Sequence, residues 1–362
     1  PVADGAVGDY FLRNDQIVAI IQRPGRVFSV GPYGGNLIDL ADAGLREDHL
    51  GETIPFIQFG LTANFHTVRV IDDGSSGNPA VIEAEGTDEL WDFLTLQTLT
   101  PLLRYETDEN GFPIGLLKFD PSADLPLRVR ARYKLDTDAR HIDVRYYLRN
   151  TGDEPLDLRV GFTVDMRGTV EPFSPGRGFT DPGVDLDDLD TVLTTPVDSP
   201  FIAYQADGFS VGVRSLDFLD RAETPRLSVA VVGIAMVAIG VGTLLDLFES
   251  KGPFVLEPGE ERGFGYQMLL GHDVNDVKAW VEGESSWGAV RGEVLDVVTR
   301  APIAGARVAA LDPNSGDVLN GWVTDENGRF GGVLWREPQL QRTRPFRRSK
   351  PRLPVGAETV EQ

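Results

Sequence analysis

The stretch Leu127–Val164, LRVRARYKLDTDARHIDVRYYLRNTGDEPLDLRVGFTV, decides how the rest of the chain is read. Leu127, Val129, Ala131, Tyr133 and Leu135 alternate with Arg128, Arg130, Arg132 and Lys134. After a turn, Ile142, Val144, Tyr146 and Leu148 alternate with Asp143, Arg145 and Tyr147. Beyond Asn150-Thr151-Gly152-Asp153, Leu156, Leu158, Val160, Phe162 and Val164 keep the same step. A strand sends successive side chains to opposite faces, so the three segments predict an antiparallel meander with one dry and one wet face. The pairing that keeps apolar residues together sets Leu135 opposite Ile142, Tyr133 opposite Val144, Lys134 opposite Asp143 and Arg132 opposite Arg145. Carried to the third strand, it sets Arg145 opposite Arg159. Arg132, Arg145 and Arg159 then form a row, with Arg130 and Arg149 nearby. Like charges directly opposite one another are destabilising, so the row calls for carboxylates from another segment or for an anionic ligand.

Strand and turn signals continue outward from this centre. Tyr10-Phe11-Leu12 and Ile17–Ile21 read as a hairpin turning at Asn14-Asp15, and Asp108-Glu109-Asn110-Gly111 as another. Phe201–Tyr204 and Phe209–Val213 are strand-like. Phe254–Leu256 and Phe264–Leu270 read as a closing hairpin around Glu257-Pro258-Gly259-Glu260. Val229–Leu245 (VAVVGIAMVAIGVGTLL) carries no charge, but Gly233, Gly240 and Gly242 interrupt it and β-branched residues dominate. It is read as two buried strands with a glycine bend, not as a membrane span of roughly 20 apolar residues. Val274–Glu282 is the best helix candidate. Phe173–Pro200 is rich in proline, glycine and aspartate, and Asp181–Asp190 reads as an exposed loop.

The composition is that of a globular chain, with 41% hydrophobic and 25% charged residues among 362. The formal net charge of −22 argues against general nucleic-acid binding, because phosphate repels an acidic surface. From Arg336 onward, however, seven basic residues face three acidic ones. That end is read as a basic tail lacking strand alternation. There are no cysteines, which removes disulfides, thiolate zinc sites and cysteine nucleophiles. The chain starts at Pro1, which suggests a processed or trimmed product.

A boundary is expected near Gly283–Trp287. Past that boundary come Val290-Arg291-Gly292-Glu293-Val294, then Pro302-Ile303-Ala304-Gly305-Ala306-Arg307-Val308, then Thr324-Asp325-Glu326-Asn327-Gly328-Arg329-Phe330. This succession resembles the carboxypeptidase regulatory-like, prealbumin-type β-sandwich repeat. The physics agrees with a turn at Asp325–Gly328 between strands burying Val323 and Phe330. About half of such a module is present, since roughly seven strands are usual in sandwiches of this size. The phrases Gly8-Asp9-Tyr10-Phe11-Leu12-Arg13-Asn14-Asp15, Gly31-Pro32-Tyr33-Gly34-Gly35-Asn36-Leu37-Ile38-Asp39 and Leu256-Glu257-Pro258-Gly259-Glu260 resemble the β-rich region of large secreted bacterial proteins. In that family the region precedes such repeats and often a PHP-type metallohydrolase domain. The resemblance implies an extracytoplasmic location and a fold similar to the galactose-mutarotase-like supersandwich. It does not bring the hydrolase. PHP-type sites need an H-x-H pair among clustered ligands, and His49, His66, His141 and His272 are widely spaced.

No G-x-S-x-G elbow, P-loop or G-x-G-x-x-G motif occurs. A mutarotase-like acid/base pair needs a histidine and a carboxylate facing a sugar pocket, and the strand-placed His66 and His141, with Asp165 or Glu83, are the candidates. A surface location for both histidines is the competing reading. Asp181, Asp185, Asp187, Asp188 and Asp190 are candidate calcium ligands, a hard cation taking 6–8 oxygens, although they lack the D-x-D-x-D-G order and acidic loops are commonly just solvated. Tyr33, Trp91, Phe173 and Tyr204 are aromatics able to stack on sugar rings if they are not core.

The expectation is therefore an all-β chain with a large antiparallel supersandwich over 1–286, a partial prealbumin-like β-sandwich over 287–335 and a basic, disordered tail over 336–362. Functionally it is expected to be a non-catalytic extracytoplasmic binding or structural module. Glycans or cell-envelope components are its expected partners, with no nucleic acid and no membrane span. The alternatives are the accessory region of a metal-dependent hydrolase or a degenerate mutarotase-like epimerase.

Overall fold

Period-two text becomes strand almost wherever it occurs in the computed structural model. The structure describes residues 4–29, 31–44, 50–57, 61–90, 124–158, 160–175, 178–179, 197–206, 208–216, 227–232, 235–239, 254–282, 287–311, 313–314, 316 and 318–335. The Asp108–Gly111 turn, Trp91, the loop Asp181–Asp190, Arg159, residues 240–245, residues 283–286 and the segment from Arg336 lie outside the described residues.

The chain opens with the expected hairpin of β1 (Tyr10–Arg13) and β2 (Ile17–Ile21), Tyr10 opposite Ile21. Asn14 closes its turn by accepting from the backbone N–H groups of Gln16 at 2.8 Å and Ile17 at 2.9 Å. There follow β3 (Leu37–Asp42), β4 (Leu50–Ile57), β5 (Leu61–Asp72), β6 (Ala80–Leu90), β7 (Leu127–Leu135) and β8 (His141–Asn150). Next come β9 (Leu156–Leu158), β10 (Val160–Met166), β11 (Glu171–Ser174), β12 (Gly178–Phe179), β13 (Val197–Ser199) and β14 (Ile202–Ala206). They are succeeded by β15 (Phe209–Ser215), β16 (Leu227–Val232), β17 (Ala235–Ile239), β18 (Phe254–Leu256) and β19 (Glu261–Gly271). The one helix among the described residues, α1 (Val274–Glu282), has the predicted bounds. Asp273 caps it by accepting from Asn275 N at 2.8 Å and Asp276 N at 3.2 Å, while Val274 and Val277 are buried. The chain then forms β20 (Trp287–Glu293), β21 (Arg307–Leu311), β22 (Val318–Val323) and β23 (Arg329–Trp335).

Two large antiparallel sheets carry the fold. One has eight strands in the order β1-β2-β3-β4-β10-β17-β16-β13, the other nine in the order β12-β11-β14-β15-β19-β8-β7-β6-β5. One apolar cluster joins residues from both, among them Ile17, Leu40 and Phe162 from the first and Tyr133, Tyr146 and Tyr266 from the second. Phe162 stacks on Tyr266 with ring centres 4.0 Å apart. Tyr133 donates to the carbonyl of Gly35 at 2.7 Å. Gly35 has φ +90°, and a Cβ there would press into Phe65 at 2.6 Å, so glycine is required at this crossing.

The strand pairings keep part of the sequence reading and depart from the rest. The first two strands of the meander hold their register: Tyr133 faces Val144, Lys134 faces Asp143 and Arg132 faces Arg145. The third does not join them. The other edge of β8 is taken by the long β19, which sets Arg145 opposite Gly265 rather than Arg159. β10 lies instead in the eight-stranded sheet between β4 and β17, and β9 pairs with β18. The reason is visible in burial: every residue of β10 is buried, so its period two never had a wet face. The closing hairpin is corrected for the same topology. A turn does join β18 to β19, Glu260 N donating to Glu257 O at 2.9 Å, but the two strands pair with β9 and β8. β16 and β17 pair antiparallel, giving Val229–Leu245 its two-strand reading within the described part. No described helix is long and apolar enough to cross a membrane.

Farther along, β20 pairs with β23 and β21 with β22 as two separate ladders. The Asp325–Gly328 turn exists, Gly328 N donating to Asp325 O at 2.9 Å, but it links strands of different ladders. Trp322 and Thr324, rather than Val323 and Phe330, are the buried residues there. Arg307 reaches back to Glu171 at 2.7 Å, and a Cβ at Gly321 would meet Phe179 at 2.8 Å, so this part packs on β11 and β12.

Candidate functional site

The wet face of β7 and β8 continues across the nine-stranded sheet, and register alone lays out what it presents. One row reads Glu85, Arg130, Tyr147 and Gly263; the next reads Arg69, Glu83, Arg132, Arg145 and Gly265; a third reads Val81, Lys134, Asp143, Gln267 and Arg214. Carboxylates from β6 and β19 answer part of the arginine problem. Glu83, only 2% exposed, binds Arg69 at 2.7 Å, Arg132 at 2.8 Å and Arg130 at 3.1 Å. Glu261 binds Arg130 at 2.6 Å, and Glu85 pairs with Arg128. Burial pushes the Glu83 carboxyl up, but hydrogen bonds from Arg69 and Arg132 and the charge of Arg130 outweigh it, so its pKa ends below the usual glutamate value.

Arg145 is different. It faces Arg132 on one side and a bare glycine on the other, and no carboxylate among the described residues comes within salt-bridge distance of it. The Nε of Arg132 is buried without a partner. Beside them the half-buried Tyr147 ring lies under Arg130 at 4.9 Å and Arg132 at 5.7 Å. A Cβ at Gly263 would press on that ring at 3.1 Å, so the glycine leaves Tyr147 room to lie over β19.

The third row ends in a hydrogen-bonded chain. Gln267 donates to Asp143 at 2.7 Å, and Arg214 Nε donates to Gln267 Oε1 at 2.7 Å. The Arg214 guanidinium lies 4.1 Å from the ring centre of Trp280 on α1, and His141 lies 5.3 Å from the same ring and 3.7 Å from Asp143. Burial pulls the His141 pKa below its ordinary value; Asp143 opposes this and Arg214 adds to it, so the ring is neutral at pH 7.

The expected histidine–carboxylate pairs do not form. His66 is exposed and 3.4 Å from Thr87, Glu83 belongs to the arginines, and Asp165 lies in the other sheet, where Ser29 donates to it at 2.7 Å. His141 instead has Asp143, two residues along its own strand. Phe173 and Tyr204 are core residues with 1% and 0% exposure, so neither presents a ring to solvent. Tyr33 is half-buried and donates to Leu90 O at 3.0 Å. Tyr147, Gln267, Arg214 and Trp280 were not singled out in the sequence. The usable signal for Tyr147 was an aromatic at a wet position of an alternating strand.

No protein-family model matches the chain, and no curated protein matches it. Solved structures similar to it include a Synechocystis protein, at 12% identity over 74% of this chain and 97% of that one, with a TM-score of 0.42. A galactose mutarotase-like protein from Lactobacillus casei is similar at 11% identity over 73% and 100%, with a TM-score of 0.41. A galactose mutarotase related enzyme from Lactobacillus acidophilus is similar at 11% identity over 73% and 97%, with a TM-score of 0.38.

Proposed function

We propose that this chain is a non-catalytic, extracytoplasmic glycan-binding module that takes its ligand on the outer face of the nine-stranded sheet. The observation that carries the reading is the chain Asp143–Gln267–Arg214 ending on Trp280, with His141 against the same ring. Sugar recognition needs fixed hydrogen-bonding forks beside an aromatic surface, and here amide, carboxylate and guanidinium are locked by one another next to an indole. The extracytoplasmic part rests on the resemblance of the Gly8–Asp15 and Gly31–Asp39 phrases to secreted bacterial β-domains. The test is calorimetry of the full chain against neutral oligosaccharides. Saturable binding that Trp280→Ala removes supports the reading; no binding to any neutral or acidic glycan refutes it.

A second reading, proton transfer on a sugar ring, is favoured by one observation: a neutral His141 with a carboxylate 3.7 Å away on the same face. Anomerisation of hexoses followed by polarimetry decides it. Catalysis above the buffer rate that His141→Asn removes would favour this reading over the first.

A further inference from the structure

Resting on that reading of the outer face, we infer that its arginine end is a carboxylate subsite, so that the glycan taken there is a uronate. Charge and geometry carry the inference. The residues around Arg145 in the register are Arg132 across the ladder, Arg130 and Lys134 diagonal to it, and Asp143 and Tyr147 on its own strand. Three cations thus surround it, and its single acidic neighbour is already engaged, accepting from Gln267 at 2.7 Å with Lys134 at 3.9 Å. Glu83 and Glu261 are committed to Arg69, Arg130 and Arg132. Among the described residues Arg145 thus faces another guanidinium with no carboxylate assigned to it. Across the ladder, Arg132 is turned to Glu83 at 2.8 Å and supplies no counter-charge to Arg145.

A guanidinium fork matches a carboxylate in two parallel hydrogen bonds. The glycines opposite Arg145 and Tyr147 on β19 leave backbone rather than side chains beside them. Position thereby assigns the two ends of the face different work: Trp280 and its forks hold hydroxyls, and Arg145 holds the charge. Asp143 and Gln267, on adjacent strands, stand between them.

The experiment is calorimetry of the full chain with trigalacturonate, galactotriose and sodium sulfate, on the native sequence and on Arg145→Gln, Arg149→Gln and Trp280→Ala. Arg149 is exposed on the same strand and removes the same charge, so it controls for net electrostatics. Trigalacturonate is expected to bind at least about tenfold tighter than galactotriose and than sulfate, with Arg145→Gln removing the advantage and Arg149→Gln keeping it. Thermal melts of each variant show that it is folded. Equal affinity for the two trisaccharides, or indifference to Arg145→Gln, overturns the subsite while galactotriose binding lost in Trp280→Ala leaves the glycan reading standing. Sulfate binding as tightly as trigalacturonate also overturns it, because the sugar would then add nothing. If neither trisaccharide binds, both statements fall.

Discussion

Glu83 and Glu52 are the same residue type, each almost without solvent contact, and they stand on opposite sheets in opposite electrostatic states. Glu83 has three arginines within 3.1 Å and is held ionised. Glu52 has Asn36 and the Gly31 N–H, each donating at 2.9 Å, and Asp165 directly opposite across the β4–β10 ladder. Burial pushes its pKa to about 8; the two hydrogen bonds and the Arg167 charge oppose this, and the Asp165 charge adds to it. Tyr133 and Tyr146 feel the same carboxyl. Cation count and depth both separate the two, Glu83 lying just beneath partly exposed arginines and Glu52 deeper in its sheet. One sheet uses its buried carboxylate to neutralise guanidiniums on a polar face, while the other keeps a proton on its carboxyl at neutral pH.

The largest destabilisation expected is on the first side of this contrast. Glu83→Gln leaves Arg69, Arg130 and Arg132 around one uncharged amide and is expected to lower unfolding free energy by about 3 kcal/mol in urea titrations at pH 7. A loss under about 0.5 kcal/mol would mean solvent already screens those arginines.

Glu52 sharpens the comparison through pH. Its folded pKa lies above the ordinary value near 4.5, so between that value and about 8 the folded chain keeps a proton the unfolded chain has lost. Stability from this group is complete below the lower value and falls as pH rises through the upper one. Glu52→Gln should remove the decline, making the variant more stable than the native chain at pH 9 by on the order of 5 kcal/mol and nearly equal at pH 4. Parallel stability curves for the two proteins across that range would contradict the assignment.

Much of this was legible beforehand, and the misses share a cause. Alternation fixed the faces of β7 and β8, because a one-residue slip would bury charge, and the short turn between them left the register that the apolar pairs suggest. The same alternation misled for β10, whose in-between residues Gly161, Thr163 and Asp165 are small or able to be buried with a partner. Strand text says which side chains share a face, but not which long-range partner takes an edge. β19, more than a hundred residues downstream, took the edge assigned to Arg159. Half of the candidate site was likewise readable, since Arg132 and Arg145 are a local pair. Arg214, Gln267 and Trp280 reach it from three distant elements, and nothing local marks them.

The smallest effect expected is the most specific to the outer face. Arg145→Gln removes a like charge opposite Arg132 and should raise ligand-free stability by up to about 1 kcal/mol. Thermal melts at low salt measure it, and a lowered melting temperature would mean that Arg145 already has a partner. A residue that costs stability where it stands fits one retained for binding.

The central claim is that the outer face of the nine-stranded sheet is where this chain meets its ligand, and a crystal structure of the full chain grown with trigalacturonate tests it most directly. The account predicts a uronate on this face with its carboxylate within about 3 Å of the Arg145 guanidinium, a normal charge-assisted hydrogen-bond distance. Saccharide bound elsewhere on the molecule, with Arg145 untouched, would contradict it.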